Sequence, residues 1–354
     1  MSLKAKLAQR IAATGPISVA EFMTACLHDP EHGYYATRPA IGAEGDFITA
    51  PMVSQMFGEL IGLWLVDAWM QLGRPAPFRL VEMGPGDGTL MSDMLRAAGR
   101  AAPDFLVAAD LWLVETSGPL RALQAAALAA YGPRWAGAID EVPAGARQLL
   151  VANELLDCLP ARQFMRVETG WAERRVGLKN DGALMFGLTP SPQALIPSAL
   201  WDVQIGAVVE ISAAQAALGQ AVGARIAAEG GAALFIDYGR DRDETGDTLQ
   251  ALLRHQKVDV LATAGEADLT IHADFPAFAA AAREAGAKTT AIVTQGSLLN
   301  GLGVQSRAAA LMRARPDRAA SIELQVQRLT APDQMGSLFK AVAIHGPGLT
   351  PAGF

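Results

Sequence analysis

Carboxylates and small polar residues sit at the ends of four apolar runs in this 354-residue chain. Glu82 lies two places before Gly84-Pro85-Gly86-Asp87-Gly88, and Glu115 closes Leu111-Trp112-Leu113-Val114. Asn153-Glu154 closes Leu149-Leu150-Val151-Ala152, with Asp157 just beyond, and Asp237-Tyr238-Gly239 closes Leu234-Phe235-Ile236. Short apolar runs followed by turns read as strands of an α/β sheet, and such sheets place ligands beyond the carboxyl ends of their strands. Gly84 and Gly86 let backbone come close to a ligand through φ values that other residues resist. A carboxylate at Glu115 can accept both hydroxyls of a ribose. Singly, each position reads more readily as a helix cap or a turn residue than as a site residue. Four of them on one sheet edge point to a site.

The glycine turn discriminates between ligands. A dinucleotide fingerprint, G-x-G-x-x-G, would need its third glycine at Thr89, but that glycine comes one residue early, at Gly88. E-x-G-x-G-x-G is the pattern of S-adenosylmethionine enzymes, and no G-K-[ST] follows to make a Walker loop. Methyl transfer from a sulfonium is an in-line displacement in which positioning supplies much of the acceleration. For an arginine acceptor, paired carboxylates at Glu154 and Asp157 could hold the guanidinium by fork-like hydrogen bonds and draw charge from the attacking nitrogen. The alternative stays open: Glu154 bonding adenine and Asp157 capping a helix before Pro160. Other chemistries lack their residues. The [DNS]-P-P-[YFW] of DNA amino-methylation is replaced by Asn153-Glu154-Leu155-Leu156, and neither Cys26 nor Cys158 follows a proline. Cys158 has no basic neighbour in sequence to lower its pKa and reads as a core residue. Pro30 interrupts the His28/His32 pair, so no metal site is expected.

Strand and helix patterns alternate from residue 79 onward. Strands are expected near 79–83, 111–115, 148–153, 206–211 and 232–237, and helices near 90–98, 119–130 and 213–229. That alternation argues for a parallel sheet with right-handed crossovers. Residues 164–188 alternate like an antiparallel hairpin turning at Lys179-Asn180-Asp181-Gly182, residues 239–285 read as a polar insertion plus a helix, and 287–294 with 338–344 as an antiparallel closing pair. Ahead of the sheet, Leu3, Leu7 and Ile11 recur at helical spacing until Gly15-Pro16, Ser18 and Glu21 make a capping box, and a long apolar helix spans 53–72. Lys4, Lys6 and Arg10 without an acid before Glu21 resemble a transit peptide, but the helical spacing favours an ordinary first helix.

A chain 51% hydrophobic and 18% charged suits a globular α/β protein with a substantial core. A net charge of −7 argues against a broad nucleic-acid surface and fits a cationic partner segment, although by itself such acidity reads more simply as an aid to solubility. Two cysteines favour a reducing compartment, and no apolar run reaches membrane-spanning length.

The same residues resemble one family, the MidA-like proteins: the mitochondrial complex I assembly methyltransferase and its bacterial relatives. The resemblance rests on Gly15-Pro16-Ile17-Ser18, Asp29-Pro30 through Gly33-Tyr34-Tyr35, Gly45-Asp46-Phe47-Ile48-Thr49-Ala50-Pro51 and Ser54-Gln55-Met56-Phe57-Gly58-Glu59. It continues through Glu82-Met83-Gly84-Pro85-Gly86, Asn153-Glu154-Leu155-Leu156-Asp157, Asp237-Tyr238-Gly239 and Gly246-Asp247-Thr248-Leu249-Gln250. Asp268-Leu269-Thr270, Asp274-Phe275 and Met335-Gly336-Ser337-Leu338-Phe339-Lys340 complete it.

The resemblance implies an α/β, Rossmann-like seven-strand class I methyltransferase sheet. A helical region over 1–75 would precede a methyltransferase domain over 76–354, with insertions near 160–205 and 240–285. It implies S-adenosyl-L-methionine as cofactor, bound by Glu82, Gly84, Pro85, Gly86, Asp87, Glu115 and Asn153. Glu154 and Asp157 would be catalytic, and Asp46, Thr49, Pro51, Gln55, Glu59, Asp237 and Tyr238 would meet the substrate. The implied activity is symmetric dimethylation of an arginine on the 49-kDa-type subunit of complex I, in the bacterial cytoplasm or the mitochondrial matrix. One departure is Met52, where relatives often carry an acid. Two other readings remain: a methyltransferase for a small molecule or nucleic acid, and a non-catalytic assembly protein that binds the cofactor for stability.

Overall fold

The computed structural model describes residues 1–37 and 49–354. Seven strands form the main path of the central sheet, with the two-residue strand Ala273–Asp274 added parallel at the end of the fifth: β1 (Phe78–Met83), β2 (Ala109–Val114), β3 (Arg134–Ala136), β4 (Gln148–Asn153), β5 (Gly231–Arg240), β6 (in two pieces, Lys288–Thr289 and Val293–Thr294) and β7 (Phe339–His345). Their spatial order is β3-β2-β1-β4-β5-β7-β6, with β7 antiparallel to both its neighbours and β1 to β5 parallel. Chain order reverses between β1 and β4, the crevice where open α/β sheets bind ligands. Register brings Met83 of β1 level with Val114 of β2 and Ala152 of β4. The loops that follow these three strands therefore start side by side.

Side-chain alternation along the strands explains the layers. Leu80, Leu111, Leu149, Leu234 and Ala341 face one core with the helices Gln55–Gln71 and Thr89–Ala101. Val81, Leu150, Phe235 and Val342 face the other, with Ala213–Glu229 and Phe275–Glu284. Burial on both faces makes β4 and β5 near-continuous apolar runs. The helices Gln55–Gln71 and Thr89–Ala101 pack closely because Gly62 has no side chain: a Cβ there would lie 2.5 Å from the Met94 carbonyl oxygen.

The N-terminal helices Leu3–Thr14 and Val19–His28 form where helical spacing puts them, and the Ser18–Glu21 capping box is present. Their apolar faces meet a third core shared with the inserted segments, including Val176, Leu269 and Ile271. The closing pair expected at 287–294 and 338–344 is antiparallel, and β7 lies inside the sheet between β5 and β6.

Two expectations need correction. The strand expected at 206–211 forms as Val208–Ile211 but pairs antiparallel with Arg162–Val167 in a separate five-stranded sheet, outside the parallel one. A buried Val-Val-Glu-Ile run has no feature that names its partner; pairing depends on chain far away. The single hairpin over 164–188 is a meander, since Arg162–Val167 turns tightly into Gly170–Leu178 before that strand turns at 179–183 into Leu184–Ser191. Sequence patterns also left β3 unread, being three residues long, as well as the helices between 295 and 338 that separate β6 from β7.

Candidate active site

The turn after β1 is built on glycine backbone. Gly84 donates its amide to the Val114 carbonyl at the end of β2 (3.1 Å), and Gly88 donates to Pro85 (2.9 Å). φ is +64° at Gly84, +55° at Gly86 and +89° at Gly88, all in the left-handed region that side chains disfavour. Asp87 Oδ1 accepts the Thr89 amide at 2.9 Å, fixing the first turn of the helix Thr89–Ala101.

After β2, Glu115 Oε1 accepts the amides of Thr116 and Ser117, both at 2.8 Å. Burial raises its carboxyl pKa, and those two amides pull it back. Gln124, fully buried, ties together the turn after β1, the loop after β2 and strand β3. Its amide donates to the Gly86 carbonyl (2.8 Å) and to Glu115 Oε2 (3.3 Å), and its oxygen accepts the Trp135 indole N–H (2.8 Å).

After β4, Glu154 has φ +53°, an uncommon conformation for a residue with a side chain. Its amide donates to Ile236 on β5 (2.9 Å). Its Oε1 accepts from Asn153 Nδ2 (3.0 Å) and from the Ala50 amide of the N-terminal region (3.2 Å). Burial and the neighbouring Asp157 charge push its pKa up to about 7. Burial likewise pushes Asp157 up to about 6, although the Tyr238 phenol favours its ionised form. That hydroxyl is buried and reaches no partner with full hydrogen-bond geometry.

Two cavities meet on this turn and share Gly84, Gly86 and Glu154. The larger, about 330 Å³, runs from Glu115, Thr116 and Gly137-Ala138-Ile139 past Leu155 to Cys158, His28 and Tyr35. The smaller, about 60 Å³, is walled by Thr49, Pro51, Met52, Glu82, Pro85, Asp87 and Asn153. Two buried acceptor atoms on its wall residues, Glu82 Oε2 and Asn153 Oδ1, have no hydrogen-bond partner among the described residues. Burial, reinforced by the Asp87 charge, pushes Glu82 up to about 8.

Known proteins share this architecture. Residues 60–293 match a family described as "Putative S-adenosyl-L-methionine-dependent methyltransferase". The chain is 35% identical to "Protein arginine methyltransferase NDUFAF7, mitochondrial" of Danio rerio over 97% of its length and 86% of the relative's. It is 35% identical to the Drosophila melanogaster homologue over 99% of the chain and 86% of the relative. A crystal structure of a COG1565 superfamily member from Burkholderia thailandensis, bound to S-adenosyl-homocysteine, superposes with a TM-score of 0.87 at 30% identity. It covers 99% of this chain and 93% of that one. The chain belongs to this family of S-adenosyl-L-methionine-dependent methyltransferases.

The methyltransferase brings most of the expected site residues together. Glu82, Gly84, Pro85, Gly86, Asp87, Glu115, Asn153, Glu154, Thr49 and Pro51 line the two cavities, and Asp157 lies beside Glu154. Others stand apart. Glu59 is buried in ion pairs with Arg96 (2.8 Å) and Arg307 (2.7 Å), and Gln55 is exposed at the start of its helix; neither lines a described cavity. Asp237 and Tyr238 are buried behind the loop after β4, with the Asp237 carboxylate bonded to backbone amides. Asp46 lies outside the described residues.

Sequence patterns missed Gln124, His28, Tyr35 and Gly137-Ala138-Ile139. Only Gln124 carried a signal, a polar residue on the buried face of an amphipathic helix, four places after Leu120. Among the described residues no cluster of three metal-ligating side chains occurs, and no helix is long and apolar enough to cross a membrane.

Proposed function

We propose that this methyltransferase is a protein arginine N-methyltransferase, acting on an arginine of the 49-kDa-type subunit of respiratory complex I and so serving that complex's assembly. Dimethylation would be symmetric, and the work would be done in the bacterial cytoplasm or its equivalent, the mitochondrial matrix. The observation that carries this reading is the buried Glu154 carboxyl, with the buried Asp157 beside it, on a cavity whose described wall includes no lysine or arginine. An acceptor cation would supply the missing charge. The curated relatives' name, protein arginine methyltransferase, supports the same acceptor.

The residues present fit S-adenosylmethionine. Two unpartnered buried acceptors, Glu82 Oε2 and Asn153 Oδ1, suit its ammonium group. Glu115 would take the ribose hydroxyls, and residues 84–87 would bring backbone against the donor. When bound, the cofactor supplies a methyl group activated on a sulfonium sulfur. Glu154 and Asp157 would orient the guanidinium, draw its charge from the attacking nitrogen and take up the proton that nitrogen loses as its bond to carbon forms. Thr49 and Pro51 would close the site from the N-terminal side.

Incubating purified protein with methyl-labelled donor and recombinant 49-kDa-type subunit should label one arginine, and Glu154→Gln should sharply reduce the label. Label confined to RNA, lipid or a metabolite would overturn the proposal, as would full assembly function in a Glu154→Gln strain.

A further inference from the structure

Among the sequence motifs without a role in the site described so far are the one ending in Tyr34-Tyr35 and Asp268-Leu269-Thr270. The fold joins them. Tyr35 donates its hydroxyl to both carboxylate oxygens of Asp268, at 3.0 and 3.1 Å. Asp268 opens a short buried strand (Asp268–Thr270) in the segment between β5 and β6. Tyr35 also lines the larger cavity, on the wall that carries Cys158 and His28, and Glu154 lines the same cavity.

The ring is held on two sides. His28 stacks with it at 6.0 Å between centroids and 27° between planes, and the buried Tyr34 meets it edge-on at 5.3 Å and 77°. Burial lowers the His28 pKa, which keeps the imidazole neutral at neutral pH. Burial, reinforced by the charges of Asp268 and Asp157, pushes the Tyr35 phenol well above its ordinary range, so the hydroxyl stays protonated and donates to Asp268. The cavity thus combines the aromatic rings of Tyr35 and His28 with the Glu154 carboxyl on its wall.

We infer that Tyr35 is the aromatic face against which the acceptor guanidinium lies, opposite Glu154, and that Asp268 is the positioning residue that holds that face in place. The inference rests on the arginine reading above. A guanidinium is flat, delocalised and weakly hydrated, so it can stack on an aromatic ring while its edge N–H groups meet carboxylates. A lysine ammonium is a compact, strongly hydrated point charge and gains less from such a wall. Tyr35 would therefore select the kind of cation, and the segment between β5 and β6 would influence specificity through one side chain.

The test measures acceptor KM and kcat with the recombinant 49-kDa-type subunit, and S-adenosylhomocysteine affinity by calorimetry, on the full chain. Tyr35→Leu should raise acceptor KM about tenfold or more, with S-adenosylhomocysteine affinity within about twofold of wild type, which also reports a folded protein. Tyr35→Phe, which keeps the ring, should recover a large part of the loss. Asp268→Ala should raise acceptor KM more than it lowers kcat. Asp268→Asn, whose amide oxygen can still accept the phenol, should restore most of that effect. An unchanged acceptor KM in Tyr35→Leu overturns the inference. Loss of S-adenosylhomocysteine affinity equal to the loss of acceptor affinity also overturns it, by placing the ring on the donor's side. If wild-type protein methylates no arginine, the arginine reading fails first and the inference falls with it; if wild type is active and Tyr35→Leu matches it, only the inference fails.

Discussion

Asp237 Oδ2 accepts the backbone amide of Asp157 at 3.2 Å, and that of Leu156 at 2.7 Å. The end of β5 thereby fixes the loop after β4 that carries both site carboxyls, Glu154 and Asp157. Burial and the charges of Asp157 and Glu154 push Asp237 well above the usual carboxylate range, so an uncharged acceptor should serve nearly as well. Asp237→Asn is expected to keep stability close to wild type. Asp237→Ala removes the carboxylate that accepts the Leu156, Asp157 and Tyr238 amides, at about 1–3 kcal/mol for each amide left stranded, and should lower both Tm and acceptor turnover. A wild-type Tm in Asp237→Ala would show that the loop is held by something else.

Glu154 titrates near pH 7, whereas an arginine acceptor keeps its charge throughout the accessible range. The ionised carboxylate is the form that grips a cation, so kcat/KM for the acceptor should climb with pH and level off above about 7. Glu154→Gln should remove that limb and lower kcat/KM about 30-fold or more, the cost of breaking a buried charge pair. Rates that fall steadily from pH 6 to pH 8, within about that range, would contradict the assignment.

Glu115 holds its loop amides through one oxygen and meets Gln124 only at 3.3 Å through the other, leaving capacity for ribose hydroxyls. Glu115→Ala should weaken S-adenosylhomocysteine binding by about 10- to 100-fold, as expected for hydrogen bonds to a charged group. Gln124→Leu should weaken it by a smaller factor, through loosening of the turn at Gly86. Calorimetry on the two variants checks both, and undiminished affinity in Glu115→Ala would move the donor elsewhere.

Glu82 has a folded-state pKa of about 8 against an ordinary value of 4.5. For an acid raised in this way, the native state keeps its proton while the unfolded chain has lost it. Its favourable contribution is complete below pH 4.5 and declines as pH rises to about 8. Glu82→Gln should flatten that part of the ligand-free stability curve and exceed wild type above the window by about a few kcal/mol. Urea denaturation of both proteins from pH 4 to pH 9, about the span of the effect, measures the difference. Parallel curves would mean that Glu82 ionises freely in the folded protein.

Local chemistry made much of this protein readable from its residues. The E-x-G-x-G-x-G turn, the acid closing β2 and the Asn-Glu pair closing β4 each follow a short apolar run, and the strand-to-helix alternation places those ends on one sheet edge. The Ser18–Glu21 capping box and the helix Ala213–Glu229 were equally plain, because caps and helical periodicity act within a few residues. What needed the tertiary structure is pairing between distant segments. Val208–Ile211 joined an antiparallel sheet because Arg162–Val167 lay beside it, and Glu59 and Asp237 turned inward to hold Arg307 and the loop after β4. Tyr35 reached the cavity through Asp268, 233 residues further along the chain. Such contacts depend on which surfaces are buried together, and periodicity along a single segment carries no record of them.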